Sequence, residues 1–177
     1  MKRQEAQSAE SIFIQLGDIL KEMRLLYYIS DAFGKSYVID HILFGNRMPL
    51  YLTVLENTFT VLTISQYPSE YPFQCPLKRI SDCAEFITLL NWGLPSGNFE
   101  VYMKSGVIRY RDSVNFSDTS IDDAVVKNLL GSSLSNIDYY IYAIYAFIRH
   151  EKSPQAAESS ADDRLYRWVY FNEIFKI

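Results

Sequence analysis

Residues Asn91–Arg111, NWGLPSGNFEVYMKSGVIRYR, read as a β-hairpin with one apolar and one charged face. Phe99, Val101 and Met103 alternate with Asn98, Glu100, Tyr102 and Lys104. Beyond Ser105-Gly106, Ile108 and Tyr110 alternate with Val107, Arg109 and Arg111. A period of two sends successive side chains to opposite faces of a strand. Taken as a two-residue loop, Ser105-Gly106 sets Lys104 opposite Val107, Met103 opposite Ile108 and Glu100 opposite Arg111. One face then belongs to a core. The other, with Glu100, Tyr102, Arg109 and Arg111, meets solvent or a partner.

Upstream, Tyr37–Gln66 keeps the same period. YVIDHILF reads as a strand, Asn46–Pro49 turns the chain, and Leu50–Leu55 and Phe59–Ile64 read as two more strands joined at Glu56-Asn57. Pro68, Pro72 and Pro76 mark a connecting loop. Helical spacing takes over on either side. Ile12, Leu16, Ile19, Leu20, Met23, Leu26 and Tyr27 share a stripe that predicts a helix from Ala9 to Ser30. Ile80, Ala84, Ile87 and Leu90 predict a second over Ile80–Asn91, capped by Ser81 or Asp82. A third pattern, Ile121, Val125, Leu129, Ile137, Tyr140, Ile144 and Phe147, is interrupted by Gly131-Ser132-Ser133, which predicts a kink or two helices in tandem. Lys152–Asp163 reads as a polar linker, and Arg164–Ile177 as a short helix that is apolar nearly all round.

The expected fold is therefore α+β, in the order α-β-β-β-α-β-β-α. A five-stranded antiparallel sheet would carry helices on one face, with the C-terminal helix appended. Residues 1–157 would form the domain, and 158–177 the linker and aromatic helix. A chain of 177 residues can bury about 70% of the surface it exposes when unfolded, so it needs no covalent staple. Its two cysteines, Cys75 and Cys83, are expected as reduced thiols of a cytoplasmic protein. Neither a secretion signal nor a membrane-spanning apolar run is visible, and a net charge of −4 speaks against nucleic acid.

Chemistry-bearing patterns are absent from the lettering. His41 and His150 are far apart in sequence, and Cys75-x7-Cys83 is neither a zinc nor a thioredoxin-type spacing. Asp122-Asp123 and Asp162-Asp163 precede helices, where carboxylates stabilise unpaired N–H groups. Lys78-Arg79 and the pair Arg109/Arg111 could hold an anion, but arginines interleaved with tyrosine more simply solvate a sheet face. We expect no catalytic residue, no metal and no cofactor. Aromatic residues make up 15% of the chain, and rings left at the surface are effective anchors for a partner. Tyr102, Arg109, Arg111 and Tyr142, with Trp168 and Phe171 of the tail, are the candidate contacts.

Several runs resemble one known family: Asn91, Gly97-Asn98-Phe99-Glu100-Val101 and Gly106-Val107-Ile108-Arg109-Tyr110-Arg111, then Asp138-Tyr139-Tyr140, Ala143-Ile144 and Ser153-Pro154 with Ala156 or Ala157. The chain is similar to the YbjN-like bacterial family labelled sensory transduction regulators, a branch of the type III secretion chaperone-like folds. The resemblance implies a non-catalytic, chaperone-like or regulatory protein that binds another protein or an extended polypeptide segment, with a homodimer compatible. A small-molecule sensor with a pocket between sheet and helices is the alternative, and an enzyme is the least expected class.

Overall fold

The computed structural model describes residues 8–31, 35–43, 46–55, 58–63, 74–115, 123–149 and 152–161. The elements run α1 (Ala9–Glu22), β1 (Tyr28–Ser30), β2 (Ser36–Leu43), β3 (Asn46–Leu55), β4 (Thr58–Thr63), a 3₁₀ turn (Leu77–Arg79) and α2 (Ile80–Trp92). They continue with β5 (Asn98–Tyr102), β6 (Val107–Asn115), α3 (Asp123–Arg149), α4 (Pro154–Glu158) and a closing 3₁₀ turn (Ser159–Ala161). The class is α+β, but among the described residues the sheet has six strands in the order β1-β2-β3-β4-β6-β5, all neighbours antiparallel.

The strand beyond the expected five arises because α1 stops early. Met23 caps the helix, Arg24 takes the left-handed conformation at φ 56°, and Leu25 N–H reaches Leu20 O at 3.1 Å while Arg24 N–H reaches Lys21 O at 2.9 Å. That is a Schellman ending, usually built on glycine. With arginine in that place, the stop is hidden in the lettering. Leu26, expected on the apolar stripe, is 90% exposed, and Tyr28–Ser30 pairs with β2.

Two further boundaries move. Asn46–Pro49 is strand, not turn: Asn46 pairs with Leu43 and Pro49 with Asp40. Residues 152–161 of the expected linker are not simply a linker, because Ser153 caps α4 through Ala156 N–H, Pro154 occupies the first turn, and Pro154, Ala157, Ser160 and Ala161 are buried. Proline at a helix start loses no hydrogen bond, so the segment folds despite its polar composition. Meanwhile α3 runs as one helix of 27 residues through Gly131, which faces open space, so the segment is not two helices in tandem. Its buried residues begin at Val126 and Leu130, one position on from the expected Val125 and Leu129. The helix expected over Arg164–Ile177 lies outside the described residues.

One core joins helices and sheet. It takes Ile12, Leu16, Ile19 and Leu20 from α1, Phe86, Ile87 and Leu90 from α2, and Ile137, Tyr140, Ile144 and Phe147 from α3. From the sheet it takes Tyr37, Ile39, Leu50, Leu52, Phe99, Ile108 and Tyr110, which the register places on one face. Phe13 stacks on Tyr37 with ring centroids 4.2 Å apart, and Phe86 on Phe147 at 4.6 Å. Each buried ring contributes roughly 2–3 kcal/mol by area alone.

Candidate docking surface around the β5–β6 hairpin

The hairpin is built as its alternation demands, but its register is offset from the expected one. Glu100 faces Arg109, Val101 faces Ile108 and Tyr102 faces Val107, so the loop is Met103–Gly106. A shift of two residues keeps every side chain on its face, which is why alternation alone cannot detect it. Ser105 and Gly106 both donate backbone N–H groups to Tyr102 O, at 3.1 and 2.7 Å. Gly106 needs its glycine twice over: φ is +75°, and a Cβ there would sit 2.0 Å from Cys75 O.

Polar contacts then hold the hairpin in place. At its tip, Cys75 N–H donates to Gly106 O at 2.9 Å and Gln74 Nε2 to Ser105 O at 2.8 Å. Along its outer edge, the Asn91 side chain acts as a fragment of strand: Phe99 N–H donates to Asn91 Oδ1 at 2.8 Å, and Asn91 Nδ2 donates to Phe99 O at 2.9 Å. An edge strand otherwise offers such groups to any passing chain. Beneath the hairpin, Asn136 Nδ2 donates to Tyr110 Oη at 3.1 Å and to Ser96 O at 3.1 Å, and Ser96 Oγ donates to Asp112 Oδ2 at 3.0 Å. Gly97, at φ +68°, lets the Tyr110 ring come this close, since a Cβ would stand 2.2 Å from Tyr110 Oη. Burial raises the Tyr110 phenol above its ordinary value, so it stays protonated and serves as a structural tie.

The face turned from the core carries Tyr102, Arg109, Arg111 and Glu100 together, as alternation predicts. Tyr102 is 59% exposed and Arg111 is exposed. Arg109 is committed to an ion pair with Glu100 directly across the strands. Partial burial works to raise the Glu100 carboxyl, but hydrogen bonds from Asn98 and Arg109 and the charges of Arg109 and Arg111 outweigh it and hold it below its ordinary value. Arg79, the other anion candidate, is spent inside the fold. It donates to Phe147 O at 2.8 Å and Lys152 O at 2.7 Å, and its guanidinium lies 4.2 Å from the Phe147 ring centroid. Tyr142 is corrected outright: it is buried in the core, because α3 is embedded on more sides than one stripe implies. Trp168 and Phe171 lie outside the described residues.

Three surface side chains escaped the sequence reading. Trp92 ends α2 at 94% exposure, next to the Asn91 that pins Phe99. Leu77 at 57% and Met103 at 51% flank the pinned hairpin tip. Trp92 could have been suspected, since it falls off the stripe of its helix and precedes the terminating Gly93. Leu77 had no such signal. Among the described residues, no cluster of histidine, cysteine, aspartate or glutamate side chains could hold a metal, and no helix is long and apolar enough to cross a membrane.

A known crystal structure shares this architecture. The crystal structure of YbjN, a candidate transcription regulator from E. coli, aligns over 78% of this chain and 92% of its own, with a TM-score of 0.54 at 10% identity. An uncharacterized protein from Methanothermobacter thermautotrophicus aligns over 76% and 97%, with a TM-score of 0.45 at 9% identity. No family model and no curated protein matches the chain.

Proposed function

From the premise that the chain has a YbjN-like fold, we propose a non-catalytic regulatory or chaperone-like protein that binds another polypeptide through its β5–β6 hairpin. The carrying observation is that large exposed apolar side chains, Leu77, Trp92, Tyr102 and Met103, stand on β5, its loop and the two segments hydrogen-bonded to them. Large apolar groups on a rigid support bind with little loss of conformational entropy. Arg111, exposed on the same sheet face as Tyr102, supplies a charge for a polar rim. The Glu100–Arg109 pair neutralises itself, which favours a polypeptide over a dedicated anion as the ligand. We take the protein to act in the cytoplasm.

The test is affinity capture from a lysate of the source organism, comparing the wild-type chain with a Leu77→Ser, Tyr102→Ser, Met103→Ser variant. Circular dichroism would first establish that the variant is folded. Proteins held by the wild type should be lost from the variant. An unchanged set of captured proteins would exclude this surface.

A further inference from the structure

The sheet face turned from the helices changes character from one end to the other. Around the hairpin it is open, with Tyr102 and Arg111 exposed. Across β2 and β3 the same face is closed: Ser36, Val38, Tyr51 and Thr53 are all buried, Val38 at 0% exposure. The Ser36 and Thr53 hydroxyls bond each other, as polar groups do where water is excluded. Neighbouring strands shield the flanks of a side chain but not its tip, so burial this complete needs a further layer. The described helices do not supply that layer. Each of α1, α2, α3 and α4 contributes to the core on the opposite face, which neither Val38 nor Tyr51 joins.

We propose that the outer face of β2 and β3 is a docking site for the C-terminal segment Arg164–Ile177 of the same chain. Composition selects this occupant. Leu165, Trp168, Val169, Phe171, Ile174 and Phe175 give it large apolar groups, whereas residues 1–7 are mostly polar and residues 116–122 hold one phenylalanine and one isoleucine. Residues 64–73 have both ends held beside β6, since Thr63 pairs with Tyr110 and Gln74 bridges to Val107. Charge agrees with the choice: Asp40 is half-buried on this face, and the segment brings Arg164 and Arg167. Reach agrees as well. Lys152 Nζ donates to Ser160 Oγ at 2.9 Å and Lys152 O accepts from Arg79, so the chain leaves α4 beside the segment that pins the hairpin tip. From β5 to β3 is three strand spacings, about 14 Å, with about 10 Å more to change layers. Residues 162–177 span about 24 Å as helix and about 50 Å extended. Trp168 and Phe171 then complete the fold, and the hairpin end is the part of this face left for a partner.

This docking is independent of the function proposed above, and its test needs no external partner. Trp92 and Trp168 are the only tryptophans, and Trp92 is 94% exposed. In the full chain, Trp92→Phe therefore leaves Trp168 emission as a direct reading of the segment's burial. Acrylamide should quench Trp168 several-fold less than it quenches Trp92 in a Trp168→Phe chain. Adding Thr53→Arg to the outer face should raise Trp168 quenching several-fold, while adding Leu77→Ser should leave it unchanged. A second measurement needs no disruptive substitution: benzoylphenylalanine replaces Phe171, the chain is irradiated, and crosslinked peptides are mapped by mass spectrometry. Crosslinks within one chain to residues 36–55 are expected. Trp168 as quenchable as Trp92, release of Trp168 by Leu77→Ser, crosslinks to residues 74–111, or crosslinks between two chains would each overturn the proposal. Should Thr53→Arg fail to fold, the crosslinks decide alone.

Discussion

Val38 and Tyr51 face each other near one end of the sheet, and Glu100 and Arg109 face each other near the other end, on the same face. The first pair is buried, at 0% and 3% exposure, together with the neighbouring Ser36 and Thr53, whose hydroxyls hydrogen-bond at 2.7 Å. The second is a part-exposed ion pair, with side chains 29% and 38% accessible. One sheet thus has two kinds of stability. At β2–β3, burial on both faces holds the strands, so side-chain volume matters there. At β5–β6 only the core face is covered, and particular polar contacts and glycine positions do the rest. Leaving one face open is what permits a surface role at that end.

The sharpest test sets two tyrosines against each other. Tyr51→Ala should lower unfolding free energy in urea by about 3–4 kcal/mol, while Tyr102→Ala should cost under about 0.5 kcal/mol. Similar losses for both would break the contrast. Next comes Gly106→Ala, expected to cost about 2–3 kcal/mol because neither the positive φ nor the Cys75 carbonyl can yield. A near-neutral result would mean that the tip is loosely held. Asn91→Ala should cost about 1–2 kcal/mol by stripping partners from Phe99, and should raise concentration-dependent light scattering as the β5 edge opens. Unchanged scattering would show that α2 alone protects the edge.

The smallest effect concerns Glu100. Its carboxyl is held below the ordinary 4.5 in the fold, so its contribution is complete above that pH and fades as pH falls through the lower folded value. Glu100→Gln should remove under about 0.5 kcal/mol at neutral pH, and should flatten the acid limb of the stability profile by the same amount. A profile that superimposes on the wild type would show the pair to be energetically idle.

Much of this fold was legible because hydrophobic period and burial are directly linked. The β2, β3, β5 and β6 segments, the cores of α1 and α2, and the shared face of Tyr102, Arg109 and Arg111 all follow from it. What escaped was decided by single backbone states or by distant contacts. Arg24 ends α1 in a conformation usually reserved for glycine, and so releases Tyr28–Ser30 to become a strand. Arg79 looked like a free cation until α3 brought Phe147 over it.

The lettering alone determined the α+β class, the body of most strands and helices and which face of the hairpin is charged, because alternation and helical spacing are local properties of a chain. Tertiary structure alone decided the hairpin register, the burial of Tyr142 and the exposure of Leu77. Those depend on which remote segments pack together, and a two-residue slip or a buried flank leaves the local pattern unchanged.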